Sequence, residues 1–432
     1  MDNRIYRILV FPCGSEIGME IWRALKNVKN VELFGAGSTN DHGKYVYKNY
    51  VKEIPHIDDE VFHEEMNRII DKYNIDYIYP AHDAVVTKLS QIQDLLDIPV
   101  LVADNRTCNL ARSKKETYKF LNKYDFIPKV YNTCKDIDKY PVFLKPDIGQ
   151  GAQGTVLARN EKEVSFYLHK NPSLIISEYL PGNEFTVDCF TDKNGKLLFC
   201  GQRTRSRIKS GISVNSKTVS NSEEVVNIAN ILNSELKFKG AWFFQVKISN
   251  EKKYMLMEFA PRIAGTMELY RMCGINFPLL TLYVFLDQDV TIFNSVPKME
   301  LDRAFVNRYK YNHQKYENVY IDFDDTIIVK NKVNTEMMGF LYQSQNNNKK
   351  IFLITKHIHN IQKSLKRYNI DKNIFHEIIH LDKNDNKYKY ITDKEKSIFI
   401  DDSFQERYEV YNHLKIPVFD LDCIDMLKDW RQ

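Results

Sequence analysis

Pro141-Val142-Phe143-Leu144-Lys145-Pro146-Asp147-Ile148-Gly149-Gln150-Gly151-Ala152-Gln153-Gly154-Thr155-Val156-Leu157-Ala158 contains a G-x-G-x-x-G match whose flanks decide what it is. Pro141–Lys145 reads as a strand that delivers Lys145. A dinucleotide fingerprint needs a helix directly after the glycines, so that its N-terminus meets the pyrophosphate. Here Thr155–Ala158 is β-branched and strand-like, so the stretch reads as a hairpin with a glycine-rich tip. Such a tip lets backbone N–H groups approach phosphate oxygens, with Lys145 supplying the compensating charge. Gly149, Gly151 and Gly154 are therefore a candidate flap over a nucleotide.

Upstream, short apolar runs (Ile8–Phe11, Val31–Phe34, Tyr77–Tyr79, Val100–Val102) alternate with helical patterns such as Ile17, Ile21 and Leu25. That alternation predicts a parallel α/β sheet over residues 1–108. His82-Asp83 follows the third run, where open α/β sheets bind ligands, and a helix cap by Asp83 explains the pair equally well. Cys13 and the turn Gly14–Gly18 are assigned to packing. Residues 109–300 read as α+β: a helix over Ser113–Lys123, then hairpins, including Phe185–Phe190 against Leu197–Gln202 around Asn194-Gly195. Ile175–Glu184 joins a buried strand to a turn and a second carboxylate; backbone groups at the strand end can read an adenine while a carboxylate accepts ribose hydroxyls. Tyr254–Phe259 opposes Trp242–Gln245 across Ser249–Lys252, which puts Gln245 and Glu258 on one face as oxygen ligands suited to Mg²⁺. Residues 301–317 read as a linker and residues 318–432 as a further α/β unit opening on Val319–Ile321.

The 432 residues, 43% hydrophobic, predict a globular multidomain protein. Charge is nearly balanced, 61 basic against 57 acidic residues, without a basic run interleaved with aromatics, so no nucleic-acid partner is expected. The seven cysteines show no C-x-x-C spacing, which argues against a metal knuckle or disulfide framework and fits a reducing cytosol. With no leader-like start and no apolar run long enough for a bilayer, the expectation is a soluble cytoplasmic protein without a membrane partner. Oligomeric state is left open.

Taken in order, Val142–Pro146 with its flap, Glu178-Tyr179-Leu180-Pro181-Gly182-Asn183-Glu184 and Met257-Glu258-Phe259-Ala260-Pro261-Arg262 resemble the ATP-grasp superfamily, in particular its carbamoyl-phosphate-synthase-like branch. The resemblance spans roughly residues 1–300 and implies a Rossmann-like pre-ATP-grasp domain ahead of an ATP-grasp fold. By that resemblance Lys114 and Lys145 contact ATP phosphates, Glu178 and Leu180 present backbone atoms to adenine, and Glu184 holds the ribose. Gln245 and Glu258 hold Mg²⁺, and Arg262 faces the transferred phosphoryl group. One departure stands out: the family shows Glu-x-Asn where this chain has Glu258-Phe259-Ala260, which leaves open whether one or two ions bind. Arg203, Arg205 and Arg207 alternate as on one face of a strand, either to receive an anionic substrate or as a solvated basic edge. The implied reaction joins a small-molecule carboxylate to an amine at the expense of ATP.

Asp322-Phe323-Asp324-Asp325-Thr326 follows Val319–Ile321, Thr355 ends the strand Ile351–Ile354, and Asp401-Asp402 ends Ser397–Ile400, with Lys383, Lys387 and Lys389 between them. Two carboxylates so close can bind Mg²⁺ and divide labour, one attacking phosphorus while the other moves protons. Over residues 317–432 the chain resembles the haloacid dehalogenase (HAD) phosphatases, implying a HAD-like α/β domain acting on a phosphorylated metabolite. Asp322 is then the nucleophile and Asp324 the general acid/base, both at the metal. Thr355 holds a phosphoryl oxygen, and Asp401 and Asp402 complete the Mg²⁺ site. Lys387 is favoured as the lysine because Lys387-x-x-x-Ile391 fits the motif spacing; Lys383 and Lys389 stay open. About thirty residues between the first two motifs leave no room for a large cap. The whole reads as a ligase fused to a phosphatase. An ATP-grasp kinase or a carbamoyl-phosphate-forming enzyme is the alternative, or, from Ala260, a nucleotide-sensing module that regulates the phosphatase.

Overall fold

Four strands, Tyr6–Phe11, Val31–Ala36, Asn49–Val51 and Tyr77–Pro80, pair in parallel in the order third, second, first, fourth. Leu9, Phe11, Phe34 and Ile78 pack on one face and Ile8, Val10 and Leu33 on the other, the two-sided burial of a parallel sheet flanked by helices. Ile17, Ile21 and Leu25 lie on the helix Glu16–Leu25, which Ser15 caps by accepting from Gly18 N. The expected strand at Val100 is reduced to a single bridge with Ile78, and the short edge strand at Asn49–Val51 carries no apolar run to announce it.

The computed structural model describes every residue except 1–3, 53, 150, 152, 210, 294–297, 307, 310–315 and 432. Its chain contacts divide into Met1–Phe305 and Val306–Gln432. The division falls within the stretch read as a linker, of which 307 and 310–315 lie outside the described residues, and whose first residues extend the strand Glu300–Asp302. Residues 1–108 and 109–300 merge into one unit because they share a core: Val10, Ile21 and Trp22 pack in the same cluster as Phe243, Tyr270 and Phe277.

Two four-stranded antiparallel sheets follow in that unit, beside a small antiparallel sheet of Arg207–Lys209, Ile212–Lys217 and Glu300–Asp302. One has the order Val130–Tyr131, Leu174–Glu178, Val142–Pro146, Val156–Ala158, so the glycine loop joins two antiparallel strands and no helix follows it. The other has the order Leu197–Thr204, Glu184–Thr191, Gly240–Ile248, Tyr254–Ala260. Strand alternation splits this second sheet. Val187, Cys189, Trp242, Phe244 and Leu256 pack with the helix Glu223–Glu235 through Val225, Ile228 and Leu232. The opposite face carries Thr186, Asp188, Gln245 and Glu258.

The C-terminal unit is a five-stranded parallel sheet in the order Glu377–His380, Lys350–Thr355, Asn318–Ile321, Ser397–Ile400, Val418–Phe419. The chain builds outward on one side of Asn318–Ile321 and then crosses to the other, so the strand order reverses at that strand. Side chains following it sit where open sheets of this kind bind ligands. All seven cysteines are free. Among the described residues no helix is long and apolar enough to cross a membrane.

Candidate active sites

Arg203, Thr186, Gln245 and Glu258 are direct cross-strand partners in turn: Arg203 opposite Thr186, Thr186 opposite Gln245, Gln245 opposite Glu258. Partners in register share a face, so the four form a row across the sheet. One row over, Arg205 Nε lies 2.7 Å from Glu184 Oε1, and Glu184 opposes Lys247. Gln245 and Glu258 of the first row, with Glu184, Lys247 and Arg205 of the second, floor a cleft of about 1030 Å³ that Lys145, Glu178 and Leu180 close from the other sheet, Gly149 and Gly151 from the flap and Lys114 from the helix Lys114–Phe120. Gln245 and Glu258 meet there, as does Lys114, whose Nζ is 3.4 Å from Glu258 Oε2.

Lys145 is 4% exposed, and its Nζ donates to Tyr118 Oη at 2.5 Å. Burial, reinforced by the neighbouring Lys114, brings its pKa down to about 7. Ser113 Oγ donates to the Asp147 carboxylate at 2.9 Å, and the same carboxylate accepts from Lys115 N at 2.8 Å, so the helix Lys114–Phe120 is tied to the base of the flap. At the flap tip Gly151 (φ 64°) meets Gly211 (φ 76°) so closely that a Cβ on Gly211 would stand 2.0 Å from the Gly151 Cα. Gly154 (φ 71°) turns the chain back beside Pro146 and does not itself line the cleft. Gln150 and Ala152 of the same loop lie outside the described residues. Glu178 spends its carboxylate on Lys129 N at 2.8 Å, which leaves its backbone as the part offered to the cleft.

Residues 170–308 match the family model described as ATP-grasp in the biosynthetic pathway with Ter operon. The unit Met1–Phe305 has a fold like that of ATP-grasp proteins. Over 57% of its length the chain is 22% identical to the arginine-specific large chain of carbamoyl phosphate synthase from Halalkalibacterium halodurans, of which it covers 25%. It thus spans about a quarter of the length of the curated relative. Among solved structures, the biotin carboxylase domain of Hydrogenobacter thermophilus 2-oxoglutarate carboxylase, in complex with MgADP, ADP and bicarbonate, aligns with TM-score 0.56 at 15% identity over 69% of this chain and 73% of that one. L-amino acid ligase from Bacillus licheniformis aligns with TM-score 0.51 at 16% identity over 66% and 75%.

Beside the ATP-grasp cleft, and sharing Gln245 and Glu258 with it, lies a chamber of about 1580 Å³. Arg262 belongs to this chamber. Its Nε and Nη2 donate to the two carboxylate oxygens of Asp83 at 2.5 and 2.7 Å, and its guanidinium lies 5.1 Å from the Phe243 ring centroid. Burial opposes ionisation of Asp83, but Arg262 outweighs it and holds the carboxyl below its usual range. The helix Asp83–Gln91 is capped by His82, not Asp83. Asp83 instead orients the arginine, a role invisible from a partner 179 positions away. The three alternating arginines separate: Arg207 is exposed and paired with Asp302, whereas Arg203 is 1% exposed and bound by Nε and Nη2 to Asp188 at 2.6 and 3.1 Å. Removing Asp188 would leave a buried guanidinium uncompensated. Asp188→Ala is therefore expected to cost about 3–5 kcal/mol, read as the shift in a urea midpoint.

A nucleotide phosphate set beside Lys145 would make binding in the ATP-grasp cleft depend on pH. An anionic polyphosphate beside the ammonium raises its pKa above the free value of about 7. Binding then takes up a proton once the pH exceeds 7. MgADP affinity is expected to fall, by up to about tenfold per pH unit, as pH rises through that window. Calorimetry in two buffers of different ionisation enthalpy reads the proton directly, and Lys145→Arg should flatten the profile because guanidinium stays charged.

In the C-terminal unit Lys387 Nζ bonds Asp322 Oδ1 at 2.5 Å and Asp401 Oδ2 at 2.7 Å, all three residues being buried. Burial would lower the lysine pKa, but the two carboxylates outweigh it and raise it. Burial and the nearness of Asp401 push Asp322 upward, against Lys387. Asp322, Asp401 and Asp402 place carboxylate oxygens within 4.8 Å of one another, a hard-oxygen set that fits Mg²⁺. Asp324 is not in that set. Its carboxylate is 2.9 Å from His357 Nδ1, whose Nε2 is 2.7 Å from Ser364 Oγ, so the expectation that its side chain ligates the metal is not matched by the geometry. Thr355 is fully buried at its strand end, with Oγ1 accepting from His357 N at 3.2 Å. Lys383 and Lys389 are exposed, which singles out Lys387. Thr326 Oγ1 accepts from Asp402 N at 3.1 Å and Arg407 Nη1 donates to the carbonyls of Asp401 and Asp402, supports that short motifs do not announce.

Proposed function

We propose that the protein is a bifunctional enzyme: an ATP-dependent carboxylate–amine ligase whose N-terminal parallel sheet is a Rossmann-like pre-ATP-grasp layer, joined to a Mg²⁺-dependent HAD-like phosphatase. The observation that supports the ligase most is the row Gln245–Glu258 meeting Lys114 and buried Lys145 in one cleft, with Arg262 in the chamber alongside. Lys145 and Lys114 bind phosphates; Glu178 and Leu180 offer backbone to the base and Glu184 a carboxylate to the ribose. Gln245 and Glu258 would hold Mg²⁺, which neutralises phosphate charge when bound. A substrate carboxylate oxygen attacks the γ-phosphorus and the bond to the β-phosphate oxygen breaks, releasing ADP. The amine nitrogen then attacks the acyl carbon, phosphate leaves with its oxygen, and the nitrogen loses a proton. Arg262, fixed by Asp83, faces the charge that develops on the transferred group.

The phosphatase reading rests on the motif resemblance over residues 317–432 and is supported by the geometry of Asp322, Lys387, Asp401 and Asp402. Asp322 attacks phosphorus, the ester oxygen leaves with a proton from Asp324, and water later releases phosphate from the aspartyl group. His357 orients Asp324, and Lys387 holds Asp322 in place.

The test uses the Asp322→Asn chain with Mg-ATP, a panel of carboxylic acids and hydroxylamine. Acid-dependent ADP together with hydroxamate supports the ligase. Nucleotide binding with no turnover for any acid would favour the sensing module instead, for which Ala260, buried where an amide oxygen would otherwise serve a second ion, is the motivation.

A further inference from the structure

The chamber beside the ATP-grasp cleft has more recognition chemistry than activating one carboxylate requires. Six lysine and arginine side chains line it against three carboxylates, Glu16, Asp83 and Glu258. Asp188, buried behind the wall, and Glu184, in the neighbouring cleft, offset two of the six. Arg203 commits Nε and Nη2 to Asp188, and its Nη1 is buried without a hydrogen-bond partner. Thr186, its direct partner across the ladder, has a buried Oγ1 equally without one. Arg303, which lines the same chamber, pairs with Glu16 and also leaves Nη1 unmatched, close to Gly265. Buried polar atoms almost always find partners, and three unmatched ones around a single chamber mark a place built for a ligand. Each guanidinium spends one edge on a carboxylate of the fold and keeps a nitrogen in reserve, so the missing group is an acceptor and anionic.

Their position says which part of the ligand they meet. Arg203 stands on the strand farthest from Glu258 in the cross-strand row, three strand spacings or roughly 14 Å away along the sheet. It is remote from the phosphate end, where the reacting carboxylate must lie. We propose that the acid substrate carries a second anionic group, a carboxylate or a phosphate, held by Arg203, Thr186 and Arg303 while its first carboxylate faces Arg262. The proposal rests on the ligase reading for the chemistry at the first carboxylate, not for the binding of the second group.

Calorimetry on the full Asp322→Asn chain, with Mg²⁺ and a non-hydrolysable ATP analogue, compares glutarate and 3-phosphonopropionate with valerate. At least one dianion should bind roughly 10- to 100-fold more tightly than valerate, the gain expected for hydrogen bonds to a charged group, and the two dianions together tell a carboxylate site from a phosphate site. Arg303→Gln should remove most of that margin and leave the affinity for the nucleotide analogue unchanged. Because Arg203 is held in a buried pair, it is tested with the neutral exchange Asp188→Asn plus Arg203→Gln, which should do the same. Equal binding of all three acids, no binding of any, or a margin that survives both variants would overturn the proposal. A clear margin without acid-dependent ADP formation in the hydroxamate assay would uphold the chamber and sink the ligase.

Discussion

Asp322→Asn is expected to lower phosphate release from phosphomonoesters by roughly 10⁴-fold or more, the scale seen when a nucleophile is removed, without lowering the melting temperature. The two halves of that expectation have separate causes. An amide oxygen is a poor nucleophile toward phosphorus, so no covalent intermediate forms. The stability half follows from burial: Asp322 lies against Asp401 and its carboxyl is pushed upward, so the folded state resists its ionisation. A neutral amide of the same shape removes that penalty, and Lys387 keeps its 2.7 Å bond to Asp401. A purely structural Asp322 would show the opposite pattern, with melting temperature and any activity falling together. Phosphate release by the variant at the parent rate would remove Asp322 from the chemistry.

Lys145→Met should reduce acid-dependent ADP formation about 10²- to 10³-fold, the effect of deleting one preorganised charge from a phosphoryl-transfer site. In the free protein this ammonium is nearly as stable neutral as charged, because burial and Lys114 both disfavour the cation. Replacing it with an apolar chain of similar length costs the fold little, at most the bond to Tyr118. Calorimetry should show weaker MgATP binding with an unaltered melting curve. A variant that binds and turns over MgATP normally would mean that the strand Val142–Pro146 presents Lys145 to something other than phosphate.

Features carried by local sequence were legible. The pairing of Gln245 with Glu258 was legible only in part: the short polar-tipped hairpin predicts that the two strands pair, but counting back from the turn (Ile248–Tyr254, Lys247–Met255, Val246–Leu256) would set Met257 opposite Gln245, and a bulge between Gln245 and Val246 brings Glu258 there instead. The β-branched flank Thr155–Ala158 sufficed to reject a dinucleotide loop, and the strand Val156–Ala158 now stands there. Ile391 pins the turn that buries Lys387, which is why spacing separated that lysine from its two neighbours. What escaped are contacts between residues far apart in sequence. Asp83 with Arg262, Tyr118 with Lys145 and His357 with Asp324 meet only because particular strand and helix ends arrive at one edge, and nothing in the neighbourhood of either residue encodes its partner. The short strand Asn49–Val51 escaped for another reason: with polar Asn49 and two further residues it offers no period to read.

The cross-strand row is assembled from two hairpins that touch through a single seam, Glu184–Thr191 against Gly240–Ile248. One hairpin carries Arg203 and Thr186; the other carries Gln245 and Glu258. On the proposed roles, selectivity for the acid and the capacity to activate it would therefore be inherited on separate, contiguous segments of chain. A lineage could exchange the first hairpin for one with a different pair of side chains and acquire a new acid while its phosphate chemistry stayed intact. Because side chains alternate across each strand, such a graft succeeds only if it is trimmed in steps of two residues; an odd step would turn the selecting pair into the hydrophobic layer beneath Glu223–Glu235.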